Sequence, residues 1–200
     1  YIPAIVQVRQ WLKQGLLGEI RAVRADISMD LPFDPDNRLY NLDLGGGALL
    51  DLGIYVINFA TMVLGLPPSV TSRLYMGETD VDYYDNLVFQ YPQADAFLTA
   101  SANNDGPCNA VIVGSKGYIT LHREFWAPTR LTLKLEGQDA QVHDIPYESS
   151  GLNYEADEVH TCLRKGKLES DVLPLSETLA IMRLMDQMRY RQQFYYPSEQ

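Results

Sequence analysis

The sequence predicts an α+β fold in which an open, mainly antiparallel β-sheet carries helices packed on one face. Three observations lead there: β-rich runs follow one another through the middle of the chain, their connections are short enough for hairpins, and helical patterns flank the block at both ends. With 200 residues, 46% of them hydrophobic, there is material for one sizeable core, and residues 1–200 read as a single domain.

Between Ala4 and Leu17, Ile5, Val8, Leu12 and Leu16 recur at helical spacing, and Gly15 and Gly18 lie where a helix ends. From Glu19 to Met29 the pattern alternates, which predicts a strand, and Pro32 and Pro35 then open a loop through Asn37. Gly46 to Leu64 is long, apolar and almost free of charge, the pattern of a helix buried on most sides. After Pro67-Pro68, strands are expected at Val70 to Tyr75, Asp85 to Tyr91, Ala96 to Ala102, Asn109 to Val113, Tyr118 to Leu121, Arg130 to Leu135 and Gln141 to Ile145. Gly114-Ser115-Lys116-Gly117 and Glu136-Gly137-Gln138-Asp139 read as hairpin turns. Helices at about Tyr154 to Lys165 and Leu175 to Gln192 close the chain.

A net charge of -10 with no run of Lys and Arg speaks against a nucleic-acid partner and against an anionic membrane surface. Cys108 and Cys162 stand far apart and in no zinc or redox spacing, so they read as reduced thiols of a cytoplasmic protein. No stretch of eighteen consecutive apolar residues or signal-peptide pattern is visible. The chain starts at Tyr1, without a methionine, as a fragment or excised domain would. His122, His143 and His160 have no metal-ligand spacing, so no metal centre is expected, and the acidic cluster Glu155, Asp157, Glu158 reads as a solvated helix start.

The richest local signal is Gly45-Gly46-Gly47-Ala48-Leu49-Leu50-Asp51-Leu52-Gly53-Ile54-Tyr55. Three glycines before a helix suggest a tight turn or a close approach to a ligand. They are not a dinucleotide fingerprint, because Leu50 stands where the third glycine is required. Asp51 and Tyr55 are four apart, so a helix places both on one face. A phenol ordinarily titrates at about 10, so acting as a base near neutrality demands a nearby cation or cofactor charge. The plainer alternative is that Asp51 pairs locally and Tyr55 packs.

The runs Arg38-Leu39-Tyr40-Asn41 and Leu44 through Tyr55 resemble the glucose-fructose oxidoreductase / inositol dehydrogenase / rhizopine catabolism (Gfo/Idh/MocA) family, particularly its dihydrodiol dehydrogenase-like branch. The resemblance continues through Gly15 to Ile20, Gly114 to Gly117, Gly151 to Glu158 and Gly166 to Ser170, nearly the whole chain. It implies a C-terminal sheet domain whose open face pairs with another subunit, here a homodimer, preceded in the family by a Rossmann domain that this chain lacks. The family's Glu-Lys-Pro lysine lies upstream, and Lys13, Lys116, Lys134, Lys165 and Lys167 stand in no such motif. Asp51 and Tyr55 match the family's Asp-x-Gly-x-His/Tyr signature, which implies hydride transfer to or from NAD or NADP with Tyr55 handling a proton and Asp51 positioning substrate or Tyr55.

Substrate contacts are expected from Arg38, Met29, Phe33, Trp126 and Tyr154; for Arg38 a surface pairing with Asp34 or Asp36 is the alternative, and for the others simple packing. The function these readings predict is the substrate-binding and dimerisation half of an oxidoreductase acting on a sugar, polyol or dihydrodiol-like alcohol, inactive and without bound cofactor when alone. A non-enzymatic module that self-associates or binds a small carbohydrate is the alternative. A glycosidase, which needs two carboxylates at a defined spacing, ranks far below.

Overall fold

The structure, a computed structural model, describes residues 1–199. Helix α1 (Pro3–Lys13) starts on a proline at a position where the absent N–H costs nothing. Its buried stripe is Ala4, Val8 and Trp11 rather than the predicted Ile5, Val8 and Leu12. The shift has a visible cause: the Trp11 ring packs edge-on against His143, 4.9 Å between centroids, and turns that side of the helix to the sheet.

Strand β1 (Ile20–Ser28) leads into a loop with two short 3-10 turns, Arg38–Tyr40 and Leu42–Leu44. The predicted central helix then divides: Leu49–Gly53 form a π-turn, and only Ile54–Leu64 are regular α-helix, α2. Gly46 and Gly47 lie before the helical stretch, not in it. A β-carbon on Gly46 would collide with the carbonyl oxygens of Arg38, Leu39 and Asn41, so the close approach is to the chain's own backbone.

Strands β2 (Ser69–Met76), β3 (Asp82–Gln90), β4 (Asp95–Ser101), β5 (Ala110–Gly114), β6 (Gly117–Leu121), β7 (Arg130–Leu135) and β8 (Gln141–Asp144) complete an eight-stranded sheet in the order β2-β3-β4-β1-β5-β6-β7-β8. All neighbours are antiparallel except β1 and β4. That exception follows from connectivity, since the chain leaves β1 through α2 and the β2-β3-β4 meander returns to the free edge of β1. Strand β3 begins three residues earlier than the pattern indicated, because Asp82 looks like a turn residue and is instead buried.

Helix α2 packs over β1 and β4, and α4 (Leu175–Arg191) over β2 and α2. Beneath them Val23, Ala25, Ile27, Leu98, Ile112 and Leu131 are almost wholly enclosed, each such burial contributing roughly 1.5–3 kcal/mol. Helix α3 (Asn153–Arg164) buries only Cys162 and lies at the periphery. Among the described residues the other sheet face carries no helix, and strand register lines Thr71, Val88, Phe97, Arg24, Val111 and Thr120 in one row across it. Leu42–Leu64 is long and apolar enough to cross a membrane by composition, yet Leu49, Leu52, Val56, Ile57 and Ala60 are buried in the core of this fold.

Candidate active site

The π-turn and the first turn of α2 present the two residues singled out above. Arg38, from the 3-10 turn before the glycines, donates from Nη2 to Asp51 Oδ1 at 2.5 Å. Asp51 is thus paired with Arg38, and Arg38 takes neither Asp34 nor Asp36 as its partner. Arg38 keeps 59% of its side chain exposed and Asp51 29%, so the pair lies at the surface and is open to an incoming molecule.

Tyr55 retains 46% of its surface. Other tyrosines of this region have their hydroxyls committed: Tyr40 donates to the carbonyls of Leu31 and Ala102 at 2.9 and 3.0 Å, and burial pushes its phenol up from the ordinary value. Tyr55 borders a cleft of about 500 Å³, lined also by Ile5, Asn58, Phe59, Trp126 and Glu155. The Tyr55 and Trp126 rings are 6.3 Å apart, and Trp126 meets Phe125 edge-on at 5.6 Å, which in turn meets Phe59 at 5.5 Å. This aromatic chain makes one wall apolar, while Asn58 and Glu155 supply hydrogen-bonding groups.

The structure therefore brings Asp51 to Arg38 and Tyr55 to Trp126. It places three predicted contacts elsewhere. Phe33 packs on Tyr40 and Tyr83, with centroids 5.2 and 6.1 Å away. Met29 is partly buried against the core, its N–H donating to Ser101 across the sheet. The Tyr154 hydroxyl accepts the Glu148 N–H at 3.1 Å and braces its own loop. Among the described residues none of these three lines the cleft with Tyr55, and neither do Arg38 and Asp51.

Asn58, Phe59, Phe125 and Glu155 were not anticipated. Asn58 and Phe59 follow Tyr55 by three and four residues, a spacing that already puts them on its face of the helix. Phe125 and Glu155 come from distant segments and carried no such signal. Of the histidines, His122 bonds to Thr132 and His143 packs on Trp11. No group of acidic, histidine and cysteine side chains able to hold a metal occurs among the described residues.

Residues 5–120 match the model of the GFO/IDH/MocA C-terminal domain. Trans-1,2-dihydrobenzene-1,2-diol dehydrogenase of Homo sapiens is 34% identical over 197 aligned positions, covering 94% of this chain and 58% of that protein. Its counterpart in Xenopus tropicalis is 32% identical, covering 98% of this chain and 62% of its own length. The chain thus spans about three fifths of the curated relatives it matches. Aldose-aldose oxidoreductase from Caulobacter crescentus superposes with a TM-score of 0.79 at 19% identity, over 98% of this chain and 61% of that one, a likeness of fold. A 3-ketoreductase from Actinomadura kijaniata, solved with NADP and TDP-benzene, superposes with a TM-score of 0.79 at 25% identity, over 94% of this chain and 58% of that one.

Proposed function

This chain belongs to the GFO/IDH/MocA family through its C-terminal domain, and on that premise we propose that it is the substrate-binding and dimerisation half of an NAD(P)-dependent oxidoreductase acting on a sugar, polyol or dihydrodiol-like alcohol. The observation that carries the reading is the half-exposed Tyr55 on the rim of an aromatic-walled cleft, four residues after an aspartate held by Arg38.

In this reading the cofactor would be held by another part of the protein, and Gly45 and Gly47, both at positive φ, turn the backbone. When bound, the nicotinamide supplies the hydride acceptor or donor. The open rim fits that role, because a cofactor presented by another domain could approach Tyr55 without displacing core residues. Tyr55 Oη would hold the reacting oxygen and take or give its proton. The ion pair beside it would orient the substrate's neighbouring hydroxyl, with Asp51 accepting and Arg38 donating. Trp126 would lie against the apolar face of the ring bearing the alcohol, and Asn58 and Glu155 would bind hydroxyls at its edge. The chain alone would bind such alcohols weakly and turn nothing over.

Self-association is proposed through the bare sheet face, where Phe97 keeps 46% and Val142 59% of its surface. Apolar side chains beside Arg24 and a row of threonines fit a two-fold interface better than a purely solvated face. A cytoplasmic setting is proposed from Cys108 and Cys162, both free and buried.

The deciding experiment is Tyr55→Phe in the longest natural form of the protein, assayed for NAD(P)-dependent oxidation of cyclic diols and sugars. Loss of the hydroxyl should lower kcat by about 10²–10⁴ with KM little changed. Full turnover in the variant, or no nicotinamide binding by the natural protein, would overturn the reading.

A further inference from the structure

Behind the site, strand β3 holds two carboxylates that the core encloses: Asp82 keeps 1% of its surface and Asp85 0%. Asp82 Oδ2 accepts the Leu49 N–H at 2.5 Å, and Asp85 follows three residues on, past a register shift in the β2–β3 ladder, with its carboxyl buried where the charge of Asp82 acts on it. Asp82 Oδ1 and both oxygens of Asp85 receive no N–H donor from another residue among those described. Two ionised carboxylates in contact in a dry interior repel strongly, whereas a single proton between them converts repulsion into a hydrogen bond.

The surroundings decide which oxygen carries that proton. Asp82 faces the Leu49 N–H at the positive start of the helical stretch and lies in the field of the Arg189 guanidinium from α4. Asp85 has neither. Burial pushes both carboxyls up, and Asp85 goes well above the usual carboxylate range because the charge of Asp82 adds to its burial. From the C-terminal tail Tyr196 also faces the pair, its phenol pushed up by burial, and Arg189 is itself held by the Glu199 carboxylate.

We propose that Asp85 is a neutral carboxylic acid donating to Asp82, and that Asp82, as the carboxylate, positions the π-turn that presents Asp51 and Tyr55. Leu49 is the first residue of that turn, Asp51 lies inside it and Tyr55 lies two residues past its end. A π-turn inserts one extra residue into the helix, so the direction of every later side chain depends on where it starts. Gly47 makes the anchor possible: its φ is 120°, and a β-carbon there would overlap Asp82 Oδ1. The positioning role rests on the reading of Asp51 and Tyr55 given above; the proton assignment does not.

Asparagine is the diagnostic substitution. Asp85→Asn supplies an N–H where the acid supplies an O–H, so Asp82 keeps its charge and its grip on Leu49. Asp82→Asn weakens the bond to Leu49 and replaces the charged acceptor of the Asp85 O–H by a neutral one. The native pair also has a defined pH signature. Because Asp85 binds its proton more tightly folded than unfolded, its contribution to stability falls as pH rises from about 4 toward the raised folded value. Asp85→Asn abolishes that slope.

The test uses the intact protein, with carboxyl-labelled aspartate NMR at neutral pH and amide hydrogen exchange at Leu49. One protonated carboxyl is expected in the wild type and none in Asp85→Asn. Leu49 exchange should stay within about twofold of wild type in Asp85→Asn and rise about tenfold or more in Asp82→Asn, as expected when a charge-assisted bond becomes a neutral one. Two ionised carboxyls in the wild type, or equal Leu49 exchange in both variants, would overturn the assignment; the wild-type spectrum decides it even if Asp82→Asn fails to fold. Turnover should follow the same order, with kcat down about tenfold in Asp82→Asn and near wild type in Asp85→Asn at unchanged KM. Faster Leu49 exchange with undiminished kcat in Asp82→Asn would sink the positioning role, while full turnover in Tyr55→Phe would sink the function reading and leave the proton assignment standing.

Discussion

Replacing Glu199 by glutamine probes the tail that backs the site, and its effect can be worked out from the contacts. Arg189, with 2% of its side chain exposed, donates to Glu199 from Nη1 at 2.9 Å and from Nη2 at 2.7 Å. Glu199 also accepts from the Tyr196 N–H at 2.8 Å and the Tyr190 hydroxyl at 3.0 Å. Glutamine keeps the shape but removes the charge and turns one acceptor oxygen into an N–H donor, so one Arg189 bond becomes neutral and the other is lost, at about 1 kcal/mol each. Water at the carboxylate, 25% exposed, holds the total to about 2 kcal/mol, or a fall in Tm of about 4–8 °C. The Arg189 hydrogen bonds hold the Glu199 carboxyl down at about 2, against an ordinary 4.5. A depressed folded value means that the contribution is complete above about 4.5 and is lost as pH falls toward about 2. Urea unfolding across that range should show the wild type losing its advantage over Glu199→Gln step by step. Equal stability at neutral pH, or a gap that persists unchanged at the acid end, would refute the account.

Gly47→Ala should cost about 2–3 kcal/mol, because alanine is strained at φ 120° and its β-carbon meets Asp82; urea unfolding showing less than about 0.5 kcal/mol would mean that the turn relaxes. Phe97→Glu, at the centre of the bare sheet face, should leave the fold intact because Arg24 stands directly across from it, yet dissociate a face-to-face dimer. Sedimentation at micromolar concentration reads this, and unchanged association would move the interface elsewhere.

Much of this architecture was legible in the sequence because periodicity reports burial. Every predicted strand is present, and the hairpins at Gly114 to Gly117 and Glu136 to Asp139 connect the strands expected of them. The sequence pattern singled out Asp51 and Tyr55 as four apart in one helical stretch, and the structure keeps both in that stretch, Asp51 in its π-turn and Tyr55 in the first turn of α2. The π-turn was not legible, since nothing in Leu49-Leu50-Asp51-Leu52-Gly53 distinguishes it from ordinary helix; its start is set by Asp82, thirty-three residues away. Asp82, Asp85 and Arg189 escaped for a related reason. A charged residue inside a strand or helix reads as an exposed position, and only the tertiary structure shows three such groups buried together. Phe33 and Tyr154 show the converse, aromatic residues near a candidate site whose rings serve packing and loop bracing.

These buried groups also explain why the glycine run is needed without any ligand. Tyr196 donates its hydroxyl to the Gly46 carbonyl at 2.6 Å, and Asp82 takes the Leu49 N–H three residues on. The backbone entering the π-turn is thereby held by a strand on one side and by the C-terminal tail on the other. A side chain at Gly47 would block the approach of Asp82, and one at Gly46 would collide with the carbonyls of Arg38, Leu39 and Asn41. Arg189 joins the two supports, since it pairs with Glu199 of the tail, stacks on the Tyr196 ring at 4.5 Å and attracts the charge on Asp82. The start of the helical stretch that carries Asp51 and Tyr55 is therefore held from inside the core. A substitution in the tail should accordingly disturb turnover without touching substrate, whereas one at Trp126 should alter which substrates fit and leave the helix unmoved.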